Sequence, residues 1–124
     1  MNLQREYQQI PDVFVDPNRV KEAIMNIIAN AVQSLIGTGT VAVRTYVQGQ
    51  EAVLEVRDTG KGIPESELPS IFNPFFTTKS SGTGLGLAIT HRIIQEHNGR
   101  IEVKSEIGAG TTFSVYLPIK EGVL

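Results

Sequence analysis

Between Val20 and Leu35 the aliphatic positions Val20, Ile24, Ile27, Ile28, Ala31 and Leu35 recur at helical spacing, the pattern of a helix that buries one face. Asp16-Pro17 supplies its start, an N-cap carboxylate followed by proline at the first helical position, and Gly37 is the expected C-cap. Thr40 to Val47 and Glu51 to Asp58 alternate apolar and polar residues, so they read as two strands joined by a hairpin at Gly49. Tyr7 to Val15 has β-branched character broken by Pro11, which predicts short strands or an edge pair. Beyond the turn residues Gly60, Gly62 and Pro64, the pattern predicts a short helix over Glu65 to Phe72 and a loop over Asn73 to Gly84. A second amphipathic helix is expected from Leu85 to His97, ending at Asn98-Gly99. Arg100 to Ser105 and Thr111 to Leu117 read as strands around a Gly108-Ala109-Gly110 turn. The order strand, helix, hairpin, loop, helix, hairpin implies an α/β two-layer sandwich with a mostly antiparallel sheet.

Composition narrows the class without changing the architecture. A chain of 124 residues, 40% hydrophobic and 19% charged, suits one globular domain. Eleven basic against thirteen acidic residues give a net charge of −2, which points to neither nucleic acid nor an anionic membrane. Without cysteine, disulfides and thiolate metal sites are excluded. No apolar run approaches the roughly 18 residues of a membrane span, and Met1 to Ile10 lacks the shape of a signal peptide. The expectation is an intracellular soluble domain, or a piece of a longer chain.

Three features carry candidate chemistry. Glu22, Asn26, Asn30 and Gln33 form a polar stripe on the first helix, opposite its aliphatics. Mid-helix asparagines are locally unfavourable because their amides compete for backbone hydrogen bonds. The stripe is either a solvated face or a set of oxygen ligands aimed at a metal–phosphate complex, a role that suits Mg²⁺. Asp58 stands at a strand end with Gly60 and Gly62 behind it. It is either a capped turn or an acceptor for an exocyclic amine beside bare backbone. Finally, FFTTKSSGTGLGLAIT spends Gly82, Gly84 and Gly86 at a helix start. It fits neither the Walker A spacing, since Lys79 precedes the glycines, nor the Rossmann fingerprint, which follows a strand directly. What remains is a flexible loop or a helix amino terminus that receives phosphate oxygens.

Taken together, NIIANAVQSL, DTGKGIP, IFNPFFTTK, GTGLGLAI and GAGTTFSVYLP resemble, in order and spacing, the ATP-binding catalytic domain of sensor histidine kinases. That domain lies within the wider gyrase, chaperone and mismatch-repair ATPase superfamily. IFNPFFTTK and HRIIQEHNG are most similar to the nitrogen-regulation-like branch. The resemblance covers about Pro17 to Pro118 and implies a Bergerat-type fold, a mixed and mostly antiparallel sheet packed on helices with a mobile ATP lid. It implies that Asn30, with Asn26 beside it, coordinates Mg²⁺, and that Asn26, Asn30 and Lys79 carry the chemistry. Asp58 would bind the adenine amine, with Gly60, Gly62 and Ile63 lining the base and Thr111 supporting it through a hydroxyl or water. Phe72, Phe75, Phe76 and Thr78 would belong to the lid, from which Lys79 would reach the terminal phosphates. Gly82, Thr83, Gly84, Leu85, Gly86 and Leu87 would cradle the phosphates.

The implied function is to bind ATP with Mg²⁺ and donate its γ-phosphate to a histidine in two-component signalling. The acceptor would lie on a separate dimerisation hairpin of the same protein, which this single catalytic domain of residues 1–124 lacks. A response regulator would be reached only indirectly, the isolated domain would be a monomer, and the setting would be cytoplasmic whether or not the parent is membrane-anchored. Two positions depart from the family. Gln33 stands where many members have a basic residue, which shifts phosphate charge onto Lys79, or onto Arg92 if it turns inward. Asn26 stands where the superfamily's hydrolases place a catalytic glutamate, and an amide cannot take a proton from water. His91 and His97 are expected as packing and helix-end residues, not phosphoacceptors. Rapid hydrolysis by the isolated chain would favour a gyrase-class ATPase, and failure to bind ATP a degenerate protein-binding relative.

Overall fold

The computed structural model describes residues 2–7, 16–35, 37–73 and 86–119. Its elements are β1 (Asn2–Tyr7), α1 (Pro17–Ser34), β2 (Thr40–Gln48), β3 (Glu51–Asp58), a 3₁₀ helix (Glu65–Ser70), α2 (Gly86–Glu96), β4 (Arg100–Glu106) and β5 (Gly110–Pro118). The five strands form one sheet in the order β1-β2-β3-β5-β4. Among the described residues only the β1–β2 pairing is parallel, and the other three are antiparallel. The mixed, mostly antiparallel sheet is therefore as the pattern predicts.

Strand register sorts the side chains. Val41, Val43, Val56, Phe113, Val115 and Leu117 face α1 and α2 and form the core with Val20, Ala23, Ile27, Ala31, Ile93 and Ile94. Two layers result, because the other face is polar. There Tyr46, Val53 and Tyr116 line up across β2, β3 and β5. The guanidinium groups of Arg44 and Arg100 lie 4.5 and 4.0 Å from the Tyr46 and Tyr116 ring centroids. Val53, set in register between the two tyrosines, is 1% exposed although no helix among the described residues packs on this face.

Helix α1 starts as its sequence dictates: the Asp16 carboxylate accepts from the N–H groups of Asn18 and Arg19 at 3.0 and 3.3 Å. It ends sooner than Gly37, at Ser34, with Leu35 extended at ψ 140°. The carbonyl of Ser34 is taken instead by the N–H of Lys61 at 3.2 Å, so a tertiary contact sets the terminus. The segment Glu65–Ser70 is 3₁₀ and shorter than expected, since Pro69 inside it cannot continue an α-helical ladder. The first strand is Asn2–Tyr7, overlapping the expected Tyr7 to Val15 only at Tyr7, and residues 8–15 lie outside the described residues.

Helix α2 ends where Asn98-Gly99 suggests. Asn98 takes a left-handed φ of 60°, and the N–H of Gly99 returns to the Ile94 carbonyl at 2.9 Å. His97 sits at this end, its Nδ1 2.7 Å from the Ile93 carbonyl and its Nε2 accepting from the N–H of Asp16 at 3.0 Å. The ring thus joins the end of α2 to the cap of α1, a helix-end role as expected. His91 stacks on Phe72 with centroids 4.9 Å apart.

Candidate functional site

The site begins where β3 ends. Asp58 faces inward, 2% exposed, with Thr111 of β5 beside it in register and Ser105 of β4 beside Thr111. One carboxylate oxygen, Oδ1, accepts from the N–H of Gly60 at 2.8 Å, the local bond that an aspartate two residues ahead makes in a turn. The other, Oδ2, is buried and has no hydrogen-bond partner among the described residues. Leaving a buried acceptor unpaired costs on the order of 1–3 kcal/mol, so an oxygen retained in this state fits a ligand's donor.

The turn beneath it is held by close approaches. A Cβ on Gly60 would come 2.3 Å from the Ser34 hydroxyl oxygen and 2.5 Å from its carbonyl oxygen. Gly62, at φ +78°, lies against β4, where a Cβ would meet the Glu106 carbonyl oxygen at 2.3 Å. These glycines are thus fixed by contacts within the protein, independently of any ring stacked on their backbone. Ile63 follows, half-buried, with its N–H donating to the Ser105 hydroxyl at 2.7 Å.

Helix α1 links this turn to the start of α2. Asn26, Asn30 and Ser34 succeed one another at four-residue intervals and share a face, each about 6 Å further along the axis. At one end the Asn26 Nδ2 donates to the Gly86 carbonyl at 3.3 Å. At the other, Ser34 packs on Gly60. Asn30 lies half-buried between them. The expected stripe is therefore displaced: Glu22 and Gln33 are exposed, and the sequence reading missed Ser34, whose only signal is its i+4 relation to Asn30. Ser105 was missed as well, for nothing in an alternating strand marks one hydroxyl as special.

The contact of Asn26 uses its amide nitrogen, so its oxygen remains an acceptor. Among the described residues no group of three or more His, Cys, Asp or Glu side chains could hold a metal. A cation here would take amide oxygens and whatever phosphate or water it brought, a donor set that fits Mg²⁺. Gly86 is the first residue of α2, where a Cβ would stand 3.9 Å from the Asn26 amide carbon. Leu87 packs against the core. Phe72 does so too, edge-on to Phe113 at 6.4 Å. Arg92 does not turn inward: its side chain is 79% exposed and pairs with Glu96 at 3.5 Å. Phe75, Phe76, Thr78, Lys79, Gly82, Thr83, Gly84 and Leu85 lie outside the described residues. A polar groove lined by Gln4, Arg44, Glu55 and Arg57 opens on the sheet's other face and takes no part in this arrangement.

The profile of the family described as "Histidine kinase-, DNA gyrase B-, and HSP90-like ATPase" matches residues 15–121. The sensor histidine kinase ZraS of Escherichia coli K12 is 41% identical over 110 residues, 89% of this chain and 24% of that protein. Sporulation kinase C of Bacillus subtilis is 42% identical over 105 residues, 85% of this chain and 24% of its own. The chain thus spans about a quarter of the length of these curated relatives. Among solved structures, the catalytic domain of histidine kinase ThkA superposes with a TM-score of 0.84 at 31% identity, covering 94% of this chain and 78% of that one. Full-length ShkA, solved in complex with AMPPNP, gives a TM-score of 0.82 at 26% identity over 98% of this chain and 27% of that one.

Proposed function

Because the chain belongs to the histidine kinase-, DNA gyrase B- and HSP90-like ATPase family, we propose that it binds ATP with Mg²⁺ and presents the γ-phosphate to a histidine on another domain of its parent protein. The observation that carries this reading is the buried Oδ2 of Asp58, which has no partner among the described residues. It is an acceptor placed for one donor, and the adenine 6-amine supplies such a donor. Gly60 holds the other oxygen and so fixes the carboxylate's direction. That a relative of the same fold was solved with AMPPNP supports a nucleotide ligand.

The remaining residues follow from the site's polarity. Asn30, with Asn26 beside it, would hold Mg²⁺ through amide oxygen, and the ion when bound neutralises phosphate charge. The amino terminus of α2 at Gly86 would present its leading N–H groups and the positive end of the helix dipole to phosphate oxygens. Lys79 is proposed to meet the terminal phosphate, with Gly82, Thr83, Gly84 and Leu85 lining its approach and Phe76 and Thr78 in the lid. Asn26 cannot act as a general base toward water, so the bound ATP is held for transfer and is not hydrolysed rapidly. In the transfer an acceptor imidazole nitrogen forms the bond to the γ-phosphorus as the bond to the β–γ bridging oxygen breaks, and ADP leaves. Positioning and charge neutralisation supply the acceleration.

The test is direct. Titrated with ATP and Mg²⁺ in a calorimeter, the chain binds. Incubated alone with γ-labelled ATP it stays unlabelled, and it labels a histidine of the parent's helical domain when that domain is added. Self-labelling at His91 or His97 would refute the division of labour, and absence of binding heat would refute the nucleotide reading itself.

A further inference from the structure

Among the described residues the Ser105 hydroxyl makes three polar contacts, and together they fix the direction of the Ser105 and Thr111 hydroxyls. It accepts from the N–H of Ile63 at 2.7 Å. It stands 3.2 Å from the carbonyl oxygen of Gly110 and 2.7 Å from the hydroxyl oxygen of Thr111. Ser105 has one proton to give, and a carbonyl oxygen can only accept. All three contacts are hydrogen bonds in only one arrangement: Ser105 donates to Gly110, and Thr111 donates to Ser105. The Thr111 proton is then committed away from Asp58, its neighbour in register. The Oδ2 of Asp58, without a partner among the described residues, agrees with this, for it receives no proton from Thr111.

We propose that Ser105 is a specificity-determining residue, which sets the hydroxyl of Thr111 as an acceptor so that Asp58 and Thr111 together meet the purine 6-position with acceptors only. This rests on the nucleotide reading above and deepens it. The row Asp58–Thr111–Ser105 spans β3, β5 and β4 on the inner face, with Thr111 4% exposed and Asp58 2% exposed, so water does not readily supply a missing partner. A 6-amino group meets such a site with donors. An acceptor oxygen at position 6, with N1 left unprotonated, stands among acceptors, and buried polar groups left unpaired are how a site rejects an analogue. Ser105 touches no base itself. It acts through Thr111, and its bond to Ile63 holds the turn that carries Gly60 and Gly62.

The experiment compares ATP with 6-methoxypurine riboside triphosphate, which puts an acceptor oxygen at position 6 and, unlike a 6-oxo base, leaves N1 an acceptor as in adenine. Dissociation constants for both are measured by calorimetry on the 124-residue chain and on the variants Ser105→Ala, Ser105→Thr and Thr111→Val. The parent prefers ATP. In Ser105→Ala the Thr111 proton is released and can serve the 6-oxygen, so the methoxy-analogue/ATP ratio of dissociation constants falls about five- to tenfold, the worth of one hydrogen bond. Ser105→Thr keeps the hydroxyl and the ratio. Thr111→Val lowers the ratio, and adding Ser105→Ala to it changes the ratio no further. A merely structural Ser105 would weaken both nucleotides by the same factor and leave the ratio at the parent's value. That result overturns the proposal, as does an unchanged ratio in Thr111→Val, which needs no folded Ser105→Ala. A parent chain that binds neither nucleotide, or both equally, overturns the adenine reading as well, and so is distinguished from failure of the Ser105 role alone.

Discussion

Gly60 lies directly against Ser34: a Cβ placed on it would stand 2.3 Å from the serine hydroxyl oxygen and 2.5 Å from the carbonyl oxygen. Through this contact the end of α1 and the Asp58 turn are one unit, further tied by the bond from Lys61 N–H to the Ser34 carbonyl at 3.2 Å. The helix that offers Asn26 and Asn30 is thereby registered against the strand that offers Asp58. Gly60→Ala forces backbone apart and is expected to destabilise the chain by about 1–3 kcal/mol. Urea unfolding measures it. Adding Ser34→Ala removes only the hydroxyl, so the double variant recovers part of the loss and not all of it.

Asp58→Asn separates function from stability. The Gly60 bond needs only an acceptor, which the amide retains at Oδ1. The amide nitrogen then replaces the unpartnered oxygen and presents a donor to the adenine amine. ATP affinity should fall by about 1–3 kcal/mol, the worth of a charge-assisted buried bond. The nucleotide-free chain should be no less stable than the parent, because the oxygen removed has no partner among the described residues. Equal ATP affinity in the two proteins would remove Asp58 from the base site.

Much of this was legible in the sequence, and the exceptions share a cause. The Asp16 cap, both hairpins and the inward face of each central strand are local patterns, written in spacing and turn residues. Edge strand β1 was not anticipated because it has no apolar alternation: Leu3 is 45% exposed and Arg5 is exposed, and only pairing with β2 makes the segment a strand. Helix α1 stops before Gly37 because Lys61 takes the Ser34 carbonyl, a partner 27 positions on (61 − 34) that no local pattern records. In the site, Asp58 and the asparagines carry a charge or an amide that stands out in its element. Ser34 and Ser105 are small hydroxyls whose importance appears only once their neighbours are known.

Tyr116 predicts an alkaline limit. Burial holds its phenol above the ordinary value of 10.0, and the nearby Glu102 carboxylate, which accepts the phenol proton at 3.2 Å, acts in the same direction. A folded-state pKa raised above the unfolded one stabilises fully below the unfolded value and is lost as pH rises through the folded one. Stability should therefore decline from about pH 10 upward. Tyr116→Phe has no proton to lose there, so its unfolding free energy should fall less steeply above pH 10. Urea unfolding at successive alkaline pH values reads the two slopes, and identical slopes would refute the assignment.

Lys79, outside the described residues, is proposed to meet the last phosphate, so Lys79→Ala should weaken ATP more than ADP. A uniform loss for both nucleotides would move the lysine away from the γ-position.

Asn30→Ala tests the cation. Asn26 spends its amide nitrogen on the Gly86 carbonyl and so is tied to α2, whereas Asn30 lies midway between Gly86 and the Asp58 turn on the same helix face. That position makes Asn30 the better candidate to bridge the base end and the phosphate end of one ligand. The parent should bind ATP more tightly as Mg²⁺ is raised, because the ion links protein oxygen to phosphate oxygen and cancels charge. Without the Asn30 amide the ion stays with the nucleotide but loses its protein contact, so affinity should cease to depend on Mg²⁺ and should match the parent's value in chelator. A small side chain with high helix propensity in its place leaves α1 intact, and far-UV dichroism checks this. If the Asn30→Ala chain still shows the parent's Mg²⁺ titration, the ion is held elsewhere, with the Asn26 oxygen next to be tested.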